Sequence, residues 1–276
     1  MNRVAIDYTV FGIRFQIYWY SLFILLGALC GITYIFREVK RKKINEDLYN
    51  DIIFYGLILG IVGARLYYVL FNYKYYSLHK MEIFEIWNGG LAIHGGILFA
   101  LITTFIYTKI HDMKFLRTLD VIAPGAMIAQ SIGRWGNFFN QEAFGPIVSE
   151  KGLSFLPEFI REGMNVNGYY RAPMFLYECI WTFIGFIIML ILRKKPHIKE
   201  GHLTAFYMIW YSTGRLTIEF FRTDALMLGD FRIAQIISVM MIITGIIIIA
   251  FQNKSGKLEK LYNSRDTVIK KVKGEE

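Results

Sequence analysis

The sequence predicts an all-α polytopic membrane bundle of about seven transmembrane helices, with the N-terminus outside and the C-terminus in the cytoplasm. Three observations lead there. Of 276 residues, 55% are hydrophobic and only 19% charged, whereas a soluble domain is about 25% charged. Seven separate stretches approach the ~20 mostly apolar residues that a helix needs to cross a bilayer. The Lys and Arg residues between those stretches crowd into alternate loops, as they do on the cytoplasmic side of membrane proteins.

The stretches run 18–36, 52–71, 91–108, 118–133, 174–192, 203–221 and 232–251. The first (YWYSLFILLGALCGITYIF), the fifth (MFLYECIWTFIGFIIMLIL) and the seventh (RIAQIISVMMIITGIIIIAF) are unbroken. The first is too long for the core of a signal peptide, and no small-residue cleavage site follows it. Cys30, preceded by the bulky Leu29, reads as a small buried hydrophobe. The second stretch contains GLILGIVG, whose Gly56, Gly60 and Gly63 form a ridge suited to close helix packing. The third opens on GGLAIHGG, which leaves open a non-helical entry; irregular backbone at that depth must be buried in protein or line a wet cavity. The fourth is short and holds Pro124 and several glycines. Segment 137–173 is the longest stretch outside the membrane; it reads as a small extracytoplasmic head covering a site, with a plain connecting loop as the alternative. The organisation expected is a catalytic membrane domain over 1–252, head included, and a basic cytoplasmic tail over 253–276.

The loops orient the chain. Loop 37–50 carries five basic residues, 109–117 three, 193–200 four, and the tail 253–276 seven. The opposite side carries only Arg3, Arg14, Lys74, Lys80, Lys151, Arg161, Arg171, Arg222 and Arg232. The net charge of +9 is then a mark of topology beside anionic lipid, not of nucleic-acid binding. No metal-ligand spacing, nucleophile elbow or phosphate loop is present, and no cofactor is expected.

Ionisable groups inside the spans are the functional clue. Arg65, His94, Arg134, Glu178, Arg215 and Glu219 all fall in or beside apolar stretches, and a charge at a span centre costs roughly 2.5–3.5 kcal/mol. In the sixth stretch Tyr211, Arg215, Glu219 and Arg222 form one helical stripe. The stripe is either a self-satisfied ion pair that fixes packing or a polar wall in which Glu219 holds one Arg while another faces an anion. Arg suits the second, because its fork grips phosphate with two parallel hydrogen bonds. Segment 133–145, GRWGNFFNQEAFG, gathers Arg134, Asn137, Asn140, Gln141 and Glu142 among Gly133, Gly136 and Gly145. Arg134 supplies an anion grip, the amides supply donors, and Glu142 is placed to orient an Arg. His94, between pairs of glycines, is a candidate general base or a satisfied structural His.

GRWGNFFNQEAFG resembles the signature of the prolipoprotein diacylglyceryl transferases of bacterial inner membranes. Trp19-Tyr20, Gly63-Ala64-Arg65, GGLAIHGG, Asp120, Pro124 and the Tyr211–Arg215–Glu219–Arg222 pattern followed by Asp224 resemble further blocks of that family in the same order, up to about residue 251. One block departs: Ala172 stands where the family usually has His. The resemblance implies transfer of a diacylglyceryl group from phosphatidylglycerol to the thiol of a prolipoprotein lipobox cysteine, in the bacterial cell membrane and without a metal. It also implies the roles: Arg134 and Arg215 stabilise the leaving phosphate, and His94 is the candidate base. Tyr20, Asn137, Glu142, Gly145, Arg65, Tyr211, Glu219 and Arg222 serve substrate binding. A transporter for an anionic solute would use the same arginines but would tend to show an internal repeat, and none is found.

Overall fold

The computed structural model describes residues 2–10, 13–221, 227–228, 231–254 and 261–263. Arg222, Asp224 and most of the tail 253–276 lie outside the described residues. The architecture is all-helical, with small hairpins. In chain order the elements are β1 (Val4–Val10), β2 (Ile13–Tyr18), α1 (Trp19–Lys42), α2 (Glu46–Phe71), α3 (Tyr73–Tyr76), α4 (Ile93–Ile110) and α5 (Phe115–Asn140). They continue with α6 (Glu158–Gly163), β3 (Asn165–Val166), β4 (Tyr169–Tyr170), α7 (Met174–Leu192), α8 (His202–Glu219), β5 (Met227–Leu228), β6 (Phe231–Arg232) and α9 (Ile233–Lys254). Helices thus cover all seven apolar stretches. Five of them, α1, α2, α4, α7 and α9, are long and apolar enough to cross a membrane, and the chain is a multi-pass membrane protein. Helices α5 and α8 are long as well, at 26 and 18 residues, but they carry the polar groups of the candidate site.

Two helices differ in extent from the sequence reading. The fourth stretch, expected to be short, is a 26-residue helix that contains Pro124 and continues through GRWGNFFN to Asn140. The glycines there serve approach instead of breaking the helix: a Cβ on Gly136 would stand 2.9 Å from the Tyr20 ring. The segment expected to be a head therefore begins within α5, and the chain leaves the helix only at Gln141. In the third stretch the irregular backbone is confined to the residues before Ile93, where Gly89 and Gly90 take positive φ.

Contacts gather the chain into two compact units, one from Met1–Ile35 with Leu119–Ser264 and the other containing Phe36–Thr118. In the second, α2 starts with the Asn45 side chain accepting from the Asp47 N–H, and Glu46 and Asp47 fill its first turn; all three favour a helix N-terminus. Helices α2 and α4 then pack backbone to backbone. Gly60 lies against Gly96, and a Cβ on Gly95 would collide with the Gly63 carbonyl. At the far end of the pair the Tyr107 hydroxyl donates to Asp51 at 2.6 Å.

In the first unit, α1 approaches α5 through Gly27 and Gly31, where a Cβ would come within 2.7 Å of the Ala129 and Gly125 carbonyls. Asp120 of α5 is fully buried and caps α8: one oxygen accepts from Gly201 N at 2.6 Å, the other from Thr204 N and Oγ1, both at 2.7 Å. Segment 141–173 folds over the end of α5 around Phe138, Leu153, Leu156, Ile160, Met164 and Phe175. The β3–β4 hairpin within it turns at Asn167-Gly168, both at positive φ, the usual chemistry of a two-residue turn. Of the tail, Tyr262 is fully buried and its N–H donates to the Ile198 carbonyl at 2.7 Å.

Candidate functional site

The site grows from three helices of the first unit. Near its C-terminal end α5 carries Arg134. Helix α7 is apolar except for Glu178 in its second turn, and the last two turns of α8 carry Arg215 and Glu219. The four side chains meet. Arg134 Nε stands 2.8 Å from Glu178 Oε2, Arg215 Nη1 donates to Glu178 Oε1 at 2.9 Å, and Arg215 Nη2 stands 2.7 Å from Glu219 Oε2. Glu178 and Glu219 are 6% and 1% exposed, while the arginine side chains keep 18% and 16%.

Two positive and two negative groups make a cluster that is neutral as a whole, which is how ionisable groups persist away from water. The donors, however, are unequally engaged. Arg215 donates one terminal nitrogen to Glu178 and sets the other in an ion pair with Glu219. Among the described residues Arg134 pairs through Nε alone, which leaves the two terminal amino groups of its fork for a ligand. A crevice with room for about one water, roughly 10 Å³, opens here between Arg134, Glu178, Trp181, Tyr211 and Arg215. Tyr211 stacks on Tyr207, whose hydroxyl accepts from Gln130 Nε2 at 2.8 Å, so the polar seam continues between α5 and α8.

One turn beyond Arg134, Asn137 Nδ2 donates to Glu142 Oε1 at 3.0 Å. Glu142, expected to orient an arginine, has this amide as its partner; Glu178 and Glu219 hold the arginines instead. Glu142 also lines an open cleft of about 350 Å³ with Tyr20, Arg3, Tyr18, Ser21 and Asn140. Tyr20 lies within electrostatic reach of both Glu142 and Arg134, so cleft and cluster adjoin. Gln141, at positive φ, turns the chain out of α5 and donates through Nε2 to the Gly163 and Asn165 carbonyls. Gly145 N donates to the Ala172 carbonyl at 3.0 Å, and a Cβ on Gly145 would stand 2.9 Å from that of Ala172. Gly145 thus fits only without a side chain, between Ala172 and Met174.

The remaining candidates belong to the second unit or lie outside the described residues. Arg65 is 6% exposed, and its guanidinium donates to four backbone carbonyls: Ile83 at 2.9 Å, Gly89 at 2.8 Å, Gly90 at 3.1 Å, and Glu82. Its plane also sits over the Tyr76 ring. It ties segment 82–90 to α2. His94 begins the first turn of α4, exposed, with its ring 6.4 Å from that of Tyr67. Arg222 lies outside the described residues.

Glu178 is the member that sequence reasoning left without a role. The signal was present: it is the single acid in an otherwise apolar stretch. Its partners sit 44 and 37 residues away along the chain, beyond the reach of any helical periodicity.

The family described as Prolipoprotein diacylglyceryl transferase matches residues 8–251. Similar curated proteins carry the name phosphatidylglycerol–prolipoprotein diacylglyceryl transferase. One from Streptococcus pneumoniae serotype 4 is 48% identical over 92% of this chain and 95% of its own. One from Streptococcus mutans serotype c is 44% identical over 92% and 96%, and one from Streptococcus equi subsp. zooepidemicus is 47% identical over 85% and 90%. The match spans every helix that contributes to the cluster, and the chain belongs to the prolipoprotein diacylglyceryl transferase family.

Proposed function

We propose that this protein transfers the diacylglyceryl group of phosphatidylglycerol to the lipobox cysteine thiol of a prolipoprotein in the bacterial plasma membrane. The sulfur attacks the glyceryl carbon, a C–S thioether bond forms, the C–O bond to phosphate breaks, and glycerol phosphate leaves. The observation that carries the reading is the convergence of Arg134 and Arg215 on Glu178 in an apolar bundle, with the terminal donors of Arg134 unspent. Charge develops on the phosphate as the C–O bond breaks, and fixed guanidinium donors in a poorly hydrated site stabilise it without reorganisation. Glu178 and Glu219 hold the arginines in place.

Tyr20 and Glu142 serve the headgroup from the adjoining cleft, Asn137 serves it beside Glu142, and Gly145 keeps the backbone close with Tyr211 at the crevice. A free thiol has a pKa near 8.5, so a base assists, and His94 is the group proposed for it. Arg65 acts by holding the segment that leads into α4, and Arg222 is a further substrate-binding cation. Seven crossings place the N-terminus and segment 137–173 outside and the basic tail in the cytoplasm. The loop charges support that orientation, and the helices over all seven stretches support the count.

The test is mass spectrometry of a lipobox peptide incubated with purified protein and phosphatidylglycerol. The peptide gains one diacylglyceryl group at its cysteine, and glycerol phosphate appears in equal amount. A folded protein that yields no adduct refutes the assignment.

A further inference from the structure

Helices α7 and α8 carry the same short pattern, a Trp followed four residues later by Gly: Trp181 and Gly185 on one, Trp210 and Gly214 on the other. The two patterns interlock. Trp181 Nε1 donates to the Trp210 carbonyl at 2.8 Å, and Trp210 Nε1 donates to the Trp181 carbonyl at 2.8 Å. The indoles stack with centroids 4.2 Å apart and planes 12° from parallel. Each ring lies over the glycine of the other helix: a Cβ on Gly185 would stand 2.5 Å from Trp210 Cδ1 and Nε1, and one on Gly214 would collide with Trp181. Neither indole fits unless the opposing residue lacks a side chain.

We infer that Trp181 and Trp210 are positioning residues that fix the register of α7 against α8, and through it the reach of Glu178 to Arg215. Apolar helix faces in lipid gain little from one register over another, since the surroundings are as apolar as the helices. Directional hydrogen bonds remove that freedom. The two bonds are related by an approximate local two-fold axis, so a slide of one helix along the other strains both together. The ion pair sits beside the lock. Glu178 precedes Trp181 by one turn, Arg215 follows Gly214 directly, and Trp181 itself walls the crevice. At a pitch of 5.4 Å, a slip by one turn would carry Glu178 Oε1 out of hydrogen-bond range of Arg215, from which it now stands 2.9 Å.

The inference rests on the proposed transferase reading for one of its two readouts and is independent of it for the other. The independent readout is nitrogen NMR of the Arg215 guanidinium in the full chain reconstituted in nanodiscs. Held between Glu178 and Glu219, its Nη groups give resolved, slowly rotating signals. Trp210→Phe keeps an aromatic ring and removes the donor; those signals broaden or vanish, and Trp181→Phe on the other helix does the same. Unchanged Arg215 signals in both variants overturn the inference, whatever the activity. The second readout is a double-mutant cycle in kcat and KM. Trp210→Phe lowers kcat about tenfold with KM for phosphatidylglycerol within twofold, as small displacements of catalytic groups do. In a Glu178→Asp background, where the bridge is already too short, the same change costs less than twofold. Equal losses in the two backgrounds mean that the Trp pair only packs, and they overturn the positioning role. A wild-type chain without transfer activity sinks the functional reading and leaves the NMR result to decide the lock.

Discussion

Glu178→Gln is the most informative single change. The substitution keeps the shape of the side chain and removes its charge. In the wild type each carboxylate oxygen is committed, one at 2.8 Å to Arg134 and one at 2.9 Å to Arg215, in a residue 6% exposed. The amide leaves one acceptor and turns an NH₂ toward a guanidinium. The cluster passes from neutral to a net charge of one. Breaking a fully buried pair costs roughly 3–5 kcal/mol. Here the arginines retain 16% and 18% exposure and Arg215 keeps Glu219, so solvent screening reduces the loss to about 2–3 kcal/mol. At about 2–4 °C per kcal/mol for a protein of this size, the thermal midpoint falls by about 4–12 °C. Both arginines also lose their common anchor, and misplacement of that kind lowers turnover about 100-fold. The assays are a thermal scan of the purified protein and mass spectrometry of a lipobox peptide with phosphatidylglycerol. A midpoint within 1 °C of wild type together with turnover within about twofold would refute the claim that Glu178 organises the site.

Three further outcomes follow from the same geometry. Arg134→Lys keeps the charge and loses the planar fork; the peptide assay is expected to show about a 100-fold fall in kcat/KM with the thermal midpoint nearly unchanged. Arg65→Gln strips donors from the Ile83, Gly89, Gly90 and Glu82 carbonyls. Hydrogen exchange over residues 82–90 should accelerate strongly while α5, α7 and α8 stay protected, and an unaltered loop would count against the clamp. In the β1–β2 hairpin the Arg14 guanidinium, followed by the Gln16 amide, holds the Asp7 carboxyl at about 2 instead of 3.8. A carboxylate with a lowered pKa supports the hairpin above its ordinary value and loses that support as pH falls through the lowered one. Carboxyl-carbon NMR should therefore place the Asp7 titration near pH 2, and Arg14→Ala should return it toward 4.

The parts of this molecule that local periodicity controls are the parts that the sequence displays. Each of the seven apolar stretches is helical, because an apolar run must satisfy its own backbone in lipid. The Arg215–Glu219 pair is legible because residues four apart share a helix face, and the GLILGIVG ridge because close approach requires missing side chains. Contacts between distant segments leave no such trace. Glu178 joins helices that nothing in the sequence pairs, and the carbonyls that absorb Arg65 belong to a connecting segment, partly 3-10 helical, whose path no side-chain pattern encodes. The length of α5 is not legible for a related reason: its last turns are held by the Tyr20 contact at Gly136 and by the hydrophobic cap over Phe138, not by the helix propensity of GRWGNFFN.

The neutrality of the four-residue cluster has a consequence for how the chain enters the membrane. Helix α8 brings Arg215 and Glu219 together, already compensated within one turn. Arg134 has no such companion on α5; its carboxylate arrives with Glu178, 44 residues later. At roughly 5–20 residues per second, α5 waits some 2–9 s during synthesis with an uncompensated guanidinium near its end. Arg134 is thus made before the carboxylate that compensates it, whereas Arg215 and Glu219 are made together.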